Sequence, residues 1–206
     1  MEYDAENRLT SVVSGLSTES YLYDGDGGRL RKTTDDGRGT KNETTYIGSL
    51  FEKDSSGKTT KHIFAGANRV VSVIASPDGA KQSLYYHSDH LGSSNVITDS
   101  TGTQAQYCEY TPYGTLTTNV IASEAKQSPI KHYFTGKELD STGLYFYGAR
   151  YYDPEIGRFI SADTIVQAPY DPQSLNRYSY CRNNPINYVD PKIGRASCRE
   201  RVCQYV

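Results

Sequence analysis

The chain has no tryptophan, one methionine and four cysteines in 206 residues. It also lacks any apolar run approaching the roughly 20 residues that a membrane-spanning helix needs, so no membrane span is expected. The opening, MEYDAENRLT, is polar from the start, and no secretory signal peptide is read in this chain. Cys108, Cys181, Cys198 and Cys203 show no CxxC pair and no Cys/His metal spacing, so neither a disulfide framework nor a zinc site is read from them. A formal net charge of −2 with scattered Lys and Arg gives no reason to expect nucleic acid as a partner. No Gly-x-Ser-x-Gly elbow occurs, which leaves no readable Ser/His/Asp triad, and no cofactor is expected. No stretch sustains apolar residues at i, i+3, i+4 and i+7, which excludes a mainly helical fold.

The chain is instead rich in tyrosine (19) and glycine (18), at a mean hydropathy of −0.66. Tyrosine brings a large apolar body but keeps a hydroxyl that needs a partner, which suits strands better than dry helical cores. The composition reads as all-β with many turns. "YDAENRLT", from Tyr3 and Asp4, recurs as "YDGDGGRLRKT", from Tyr23 and Asp24. Each unit is an aromatic strand end, a turn of small and polar residues, and an Arg-Leu start to the return strand. "KDSSGKT", "SPDGAK" and "TDSTGTQ" echo the turn, with β-branched or aromatic runs between them. Residues 1–105 therefore read as an array of hairpins.

Two segments interrupt it. "ASEAKQSP" has a Ser cap, helix formers and a Pro stop, and reads as part of a loop insertion over 119–130. "DPQSLNRYSYCRNNP" offers an Asp cap and Pro at the first helical position, predicting about two turns of helix near 172–181. Between them, "GLYFYGARYYD", "DPEIG" and "RFISAD" read as strand, turn and strand, with Pro154 presetting the turn and Gly157 closing it. Strand alternation would place Leu144, Phe146, Gly148, Arg150 and Tyr152 on one face and Tyr145, Tyr147, Ala149 and Tyr151 on the other. "HSDH" (His87, Asp89, His90) has the composition of a metal cluster, but the hairpin reading is preferred because His90 would point away. "YDGDGG" resembles a calcium loop without its downstream Glu, and is read as a turn.

The Tyr-Asp…Arg-Leu units resemble the YD repeats of RHS proteins. "YYHSDHLGSSNVITDSTG", "YTPYG", "FTGKELDSTGLYFYGARYYDPEIGRFISAD" and "NRYSYCRNNPINYVDP" follow in the order of the RHS repeat-associated core domain. The resemblance covers about residues 1–191, and assigns 106–191 to the core domain. Its signature positions are Tyr3, Asp4, Tyr23, Asp24, Gly148, Arg150, Tyr151, Tyr152, Asp153, Pro154, Gly157, Arg158, Phe159, Asn184 and Pro185. It implies hairpins wound into a hollow β-shell that encloses a C-terminal toxin, in a parent protein that is secreted or displayed at the cell surface. The implied partners are the rest of the shell and the toxin. The related teneurin shells add cell-surface glycans or proteins, held on stacked tyrosines such as Tyr151 and Tyr152.

In many members of the family the core domain also cuts its own chain. The resemblance implies Asp163 and Asp190 as the catalytic carboxylates, with Arg150 or Arg158 holding one of them ionised. Paired carboxylates need one neutral and one ionised member for such chemistry. The chain departs from the family pattern at both points. Thr164-Ile165-Val166 follows Asp163 in place of Pro-x-Gly, and the glycine after Asp190-Pro191 is displaced to Gly194. These departures argue against cleavage by this chain. Beyond Pro191, "KIGRASCRERV" changes character and resembles a translated sequencing adapter, so 192–206 is read as a non-native tail. A hairpin array of this size would leave strand edges unpaired, and the isolated chain is expected to associate.

Overall fold

Pentapeptides of the form Asp-x-x-Gly-x turn this chain at several of its hairpins. The computed structural model describes residues 1–122, 130–148, 150–163, 170, 172–190 and 204–205. In it the Asp24 carboxylate accepts the backbone N–H groups of Asp26 (2.9 Å) and Gly28 (2.7 Å). The Gly27 N–H donates to the Asp24 carbonyl, and the Asp24 N–H to the Gly28 carbonyl. The fourth residue needs a positive φ, +81° at Gly27, which glycine adopts without steric cost. Asp54, Asp89 and Asp99 repeat the whole arrangement, as does Asp4, with Asn7 standing in for the glycine. Thr111 supplies a hydroxyl in place of the carboxylate, accepting from Thr115 N–H. Hydrogen bonds from the Thr101 hydroxyl and then its amide hold the Asp99 carboxyl below its ordinary range.

The strands are β1 (Glu2–Tyr3), β2 (Leu9–Ser14), β3 (Ser17–Tyr23), β4 (Arg29–Asp35), β5 (Lys41–Ile47) and β6 (Phe51–Asp54), and turns of this kind follow β1 and β3 and start from the last residue of β6. The series continues through β7 (Thr59–Ala65), β8 (Asn68–Ala75), β9 (Lys81–Ser88), β10 (Ser94–Thr98), β11 (Gln104–Tyr110) and β12 (Leu116–Ile121). Hydrogen-bonded neighbours follow chain order from β1 to β12, so each strand pairs with the one just made. The chain divides into two compact units, 1–87 with 96–105, and 88–95 with 106–206.

In the first unit the strands alternate buried and open residues with period two. Tyr46, Glu52, His62, Ser72, Ile74, Leu84 and Tyr86 are buried. The charged members of the buried set are held by aromatic faces and hydrogen bonds. The Arg29 guanidinium lies 4.7 Å from the Tyr46 ring centroid and 5.7 Å from that of Tyr21. Its Nη2 also donates to the Tyr46 hydroxyl at 3.1 Å. Desolvated cation–π contacts of this kind contribute about 2 kcal/mol.

In the second unit β13 (Glu138–Leu139), β14 (Tyr145–Phe146), β15 (Tyr151–Asp153) and β16 (Arg158–Phe159) form a four-stranded antiparallel sheet. Phe134, Tyr145, Tyr147, Tyr152, Phe159 and Tyr180 pack ring against ring beside it, with centroids 4.4 to 6.5 Å apart. The all-β architecture agrees with the composition. The expected continuous strand through 144–152 does not form. Gly148 has φ +89° and the Tyr147 N–H donates to the Arg150 carbonyl, which folds the segment into a tight hairpin. Tyr145 therefore pairs with Tyr152, and Phe146 with Tyr151, which reverses the expected partition of these residues between faces. Ala149 lies outside the described residues.

The expected two-turn helix is a single turn, α1 (Pro172–Leu175). It stops because Asn176 captures the following amides, its Oδ1 accepting from Tyr178 N–H and its carbonyl from Ser179. The carbonyls of Arg177 and Tyr178 are then recruited by Asp163 and Phe159 N–H. The helical reading of "ASEAKQSP" falls on 123–129, outside the described residues. So does most of the 192–206 tail. Within it, β18 (Gln204–Tyr205) is described, pairing with β17 (Tyr188–Val189). Among the described residues, strand β12 has β11 as its one sheet neighbour, and β1 has β2.

Glycine replacements separate conformational strain from crowding. Gly157 has φ +65°, and a Cβ there would lie 2.8 Å from Tyr113 Cδ1, whereas Gly143, at φ +80°, has nothing within 4 Å. Left-handed backbone costs about 1–2 kcal/mol, and overpacking adds about 1–3 kcal/mol. In urea denaturation Gly157→Ala is expected to lower the midpoint clearly more than Gly143→Ala. Equal midpoints would contradict this packing.

Candidate functional site

The hairpin turn at Gly148 delivers Arg150 into the interior of the second unit. Its guanidinium carbon lies 3.6 Å from the Phe159 ring centroid. Its Nη2 stands 3.4 Å from an oxygen of Asp163 and 3.4 Å from an oxygen of Asp190. Nη1 donates to the Arg177 carbonyl at 3.3 Å. The segment carrying Asp163 is fixed in turn by Arg177. The Asp163 N–H donates to the Arg177 carbonyl (2.9 Å), and Arg177 Nη1 donates to the Asp163 carbonyl (3.1 Å). The three side chains of the cluster are 8%, 7% and 11% exposed for Arg150, Asp163 and Asp190. One cation thus faces two carboxylates in a site nearly closed to water. Removing one member of such a set leaves a buried charge uncompensated.

Asp190 reaches the cluster through an irregular loop. Cys181, Arg182 and Asn183 have φ +47°, +54° and +60°. The loop is held by Asn184 N–H donating to the Cys181 carbonyl and by Tyr188 N–H donating to the Asn184 carbonyl. Asn187 Nδ2 donates to Asn184 Oδ1, and Pro185 is buried.

The structure brings Asp163, Asp190 and Arg150 together. It does not bring Arg158 to them. Arg158 is exposed and pairs across the DPEIG turn with Asp153, whose carboxylate caps Glu155 N–H. Tyr151 and Tyr152, named above as a glycan-stacking surface, are 2% and 0% exposed and present no ring face to solvent. The Tyr152 hydroxyl donates to the Tyr113 carbonyl at 2.7 Å and Tyr145 to the Gly114 carbonyl, so these rings serve the core. In the HSDH segment Asp89 caps its turn, His87 bonds Thr98 and His90 bonds the Ile186 carbonyl.

Sequence reasoning missed two polar networks. In the second unit the Tyr147 hydroxyl joins the Tyr180 hydroxyl (2.9 Å) and Thr135 Oγ1 (2.7 Å), and Thr135 N–H reaches Ser93 Oγ. The Lys137 ammonium sits 4.7 Å from the Tyr147 ring centroid. In the first unit Glu52 Oε1 meets His62 Nε2 (3.0 Å), His62 Nδ1 meets Ser72 Oγ (2.7 Å), and Ser72 meets the Tyr86 hydroxyl (3.1 Å). The last network had a signal in the sequence. Glu52, His62 and Ser72 fall ten residues apart, on the successive strands β6, β7 and β8.

Residues 45–186 match the family model for the Teneurin YD-shell. This chain belongs to that family. The YD-shell chain is 31% identical over 199 residues to the tRNA3(Ser)-specific nuclease WapA of Bacillus spizizenii, covering 92% of this chain and 8% of that protein. It is 41% identical over 113 residues to toxin subunit YenC1 of Yersinia entomophaga, covering 54% of this chain and 11% of that one. Among solved structures, the crystal structure of TcdB2-TccC3-TEV superposes with a TM-score of 0.79 at 29% identity, covering 93% of this chain and 10% of that one. The YD-shell chain therefore spans about a tenth of the length of the proteins it matches. No helix among the described residues is long and apolar enough to cross a membrane.

Burial raises the phenols of Tyr110, Tyr145, Tyr147, Tyr152 and Tyr180 above the ordinary value of 10.0. Their folded values exceed the unfolded ones, so the stability they lend is intact below the unfolded phenol pKa and is lost as pH rises beyond it. Tyrosinate absorbance is expected to rise in two stages in alkaline titration: exposed rings first, then a cooperative step coincident with loss of circular dichroism. A single smooth titration of all the rings in folded protein would contradict the burial.

Proposed function

We propose that this YD-shell segment is the C-terminal end of an RHS-type shell that encloses and delivers a C-terminal toxin, in a parent protein that is secreted. The observation that carries the reading is the contrast between the two units. The first is a ribbon of hairpins whose strands bond in chain order, the form a wall element takes. The second gathers a cluster of buried aromatic rings and a closed charge cluster, as a plug that ends such a wall would need. Likeness to toxin subunit YenC1 and to the TccC3-containing structure supports a shell in a toxin. The test is to express the parent gene with its genuine downstream domain and add protease. A downstream domain protected until the shell is denatured is expected, and one digested at the rate of the free domain would overturn the reading.

A second reading, self-cleavage by Asp163 and Asp190, is favoured by one observation. Both carboxylates stand 3.4 Å from the same Arg150 nitrogen in a dry site. Arg150 would orient the pair, and Phe159 would keep water from its face. In the parent, a released C-terminal band is expected from the native sequence and is expected to vanish in Asp163→Asn and in Asp190→Asn. Identical processing in all three would remove the protease reading and leave the shell reading standing.

A further inference from the structure

Left-handed backbone without glycine gathers around one pair of side chains in the second unit. Among its described residues, the non-glycine positions in that region are Thr135 (φ +47°), Cys181 (+47°), Arg182 (+54°) and Asn183 (+60°). Residues with a Cβ adopt it at an energetic cost and keep it where surrounding contacts over-determine it, most often at functional sites. The Thr135 hydroxyl lies 2.7 Å from that of Tyr147, and the Tyr147 hydroxyl continues to that of Tyr180 at 2.9 Å. Tyr180 directly precedes Cys181, so all four strained positions adjoin this chain of three hydroxyls.

The two tyrosines sit on the segments that carry Arg150 and Asp190. Tyr147 N–H donates to the Arg150 carbonyl, closing the hairpin that aims Arg150 inward. The Tyr180 carbonyl accepts Asn183 N–H, and the Cys181 carbonyl accepts Asn184 N–H, at the root of the loop that leads to Asp190. Farther along, the Ile186 carbonyl bonds His90 Nε2 at 3.0 Å. Phe159 joins the two sides. Its ring meets Tyr147 edge-on at 5.6 Å and Tyr180 at 6.0 Å, and carries the Arg150 guanidinium at 3.6 Å. The Lys137 ammonium lies 4.7 Å from the Tyr147 ring centroid. Tyr147 and Tyr180 are 3% and 0% exposed, so bulk water offers neither hydroxyl another partner. Burial above all holds the Tyr147 phenol far above its ordinary value, with Cys181 and the Asp190 carboxylate adding to the shift. It stays a neutral O–H, able to donate in one direction and accept in another.

We propose that the Tyr147–Tyr180 hydroxyl pair is a clasp that positions Asp190 against Arg150 and Asp163 for cleavage of the chain. This role rests on the self-cleavage reading and adds two positioning residues to it. The pair acts through the 180–190 loop rather than on the scissile bond. Both carboxylates stand 3.4 Å from one Arg150 nitrogen, and the placement of that loop sets the second of these contacts. A reacting group displaced by about an ångström can cost about a hundredfold in rate. Two carboxylates held together titrate as a coupled pair and keep one proton between them over a broad pH range. Moved apart, they titrate alike and that range contracts. A hydroxyl that merely filled space would leave the range as it is.

The test uses the parent chain with its genuine downstream sequence, as native protein and as Tyr147→Phe, Tyr180→Phe and the double variant. Release of the C-terminal band is timed across pH. Each single change is expected to slow release at least about tenfold and to narrow its pH range. The double is expected to be no slower than Tyr147→Phe alone, because the two changes remove one shared bond. Tyr178→Phe, at a half-exposed ring, is expected to leave rate and pH range unchanged. Hydrogen exchange on the 206-residue chain reads the clasp without cleavage. The amides of Asn183, Asn184 and Tyr188 are expected to exchange at least about tenfold faster in Tyr147→Phe. That of Ile160, bonded to the Tyr151 carbonyl, is expected to keep its native rate. Release that stops in Asp163→Asn but keeps its native rate and pH range in the tyrosine variants overturns the clasp and leaves the cleavage reading standing. Additive slowing with an unchanged pH range overturns it as ordinary loss of stability, and native exchange at those three amides overturns it outright. A native parent that releases nothing removes the cleavage reading, and the clasp's role with it, even where exchange quickens.

Discussion

One carboxylate accepting two backbone amides is the interaction on which this structure depends. At Asp4, Asp24, Asp54, Asp89 and Asp99 the same oxygen takes the N–H groups two and four residues ahead. Hydrogen bonds to an ionised acceptor are about twice as strong as neutral ones. They fix the chain reversal before any cross-strand packing is available. Antiparallel pairing in chain order then carries strand register from one hairpin to the next. That regularity brings Glu52, His62 and Ser72, each on a different strand, into one hydrogen-bonded line.

Tyrosine supplies the rest. In the second unit its rings fill the space that leucine and isoleucine fill elsewhere, and each buried hydroxyl must find an acceptor or cost about 1–3 kcal/mol. Tyr110 finds Ser94 O, Tyr145 finds Gly114 O, Tyr152 finds Tyr113 O, and Tyr147 and Tyr180 find each other. These bonds tie the aromatic cluster to specific backbone positions, and so give it one arrangement where a purely aliphatic core would tolerate several. Arg150 belongs to the same scheme, stacked on Phe159 and aimed at two carboxylates.

The hairpins were legible because their determinants are local: Asp and Gly at fixed offsets with alternating strands between them. The partition of Tyr145, Phe146, Tyr151 and Tyr152 between faces was not. It depends on whether Gly148 continues a strand or reverses it, and glycine permits both. The position of the helix after Pro172 is legible but its length is not, since that is set by distant amides at Phe159 and Asp163 that claim carbonyls 177 and 178. Asp163 and Asp190 came from a family resemblance, not from spacing. The Arg150 contact to both is a tertiary fact that no local pattern encodes, as is the exposure of Arg158 on the neighbouring strand.

A sheet whose twelve strands bond strictly in the order of synthesis has a kinetic corollary. Each ribbon can zip onto the preceding one as it leaves the ribosome, without waiting for residues still untranslated, and contacts of short sequence separation form fastest. The growing end always offers an unsatisfied row of amides and carbonyls, and the next strand to emerge is the nearest thing able to occupy it. Vectorial assembly of this kind suits a wall far longer than a single globular core could nucleate.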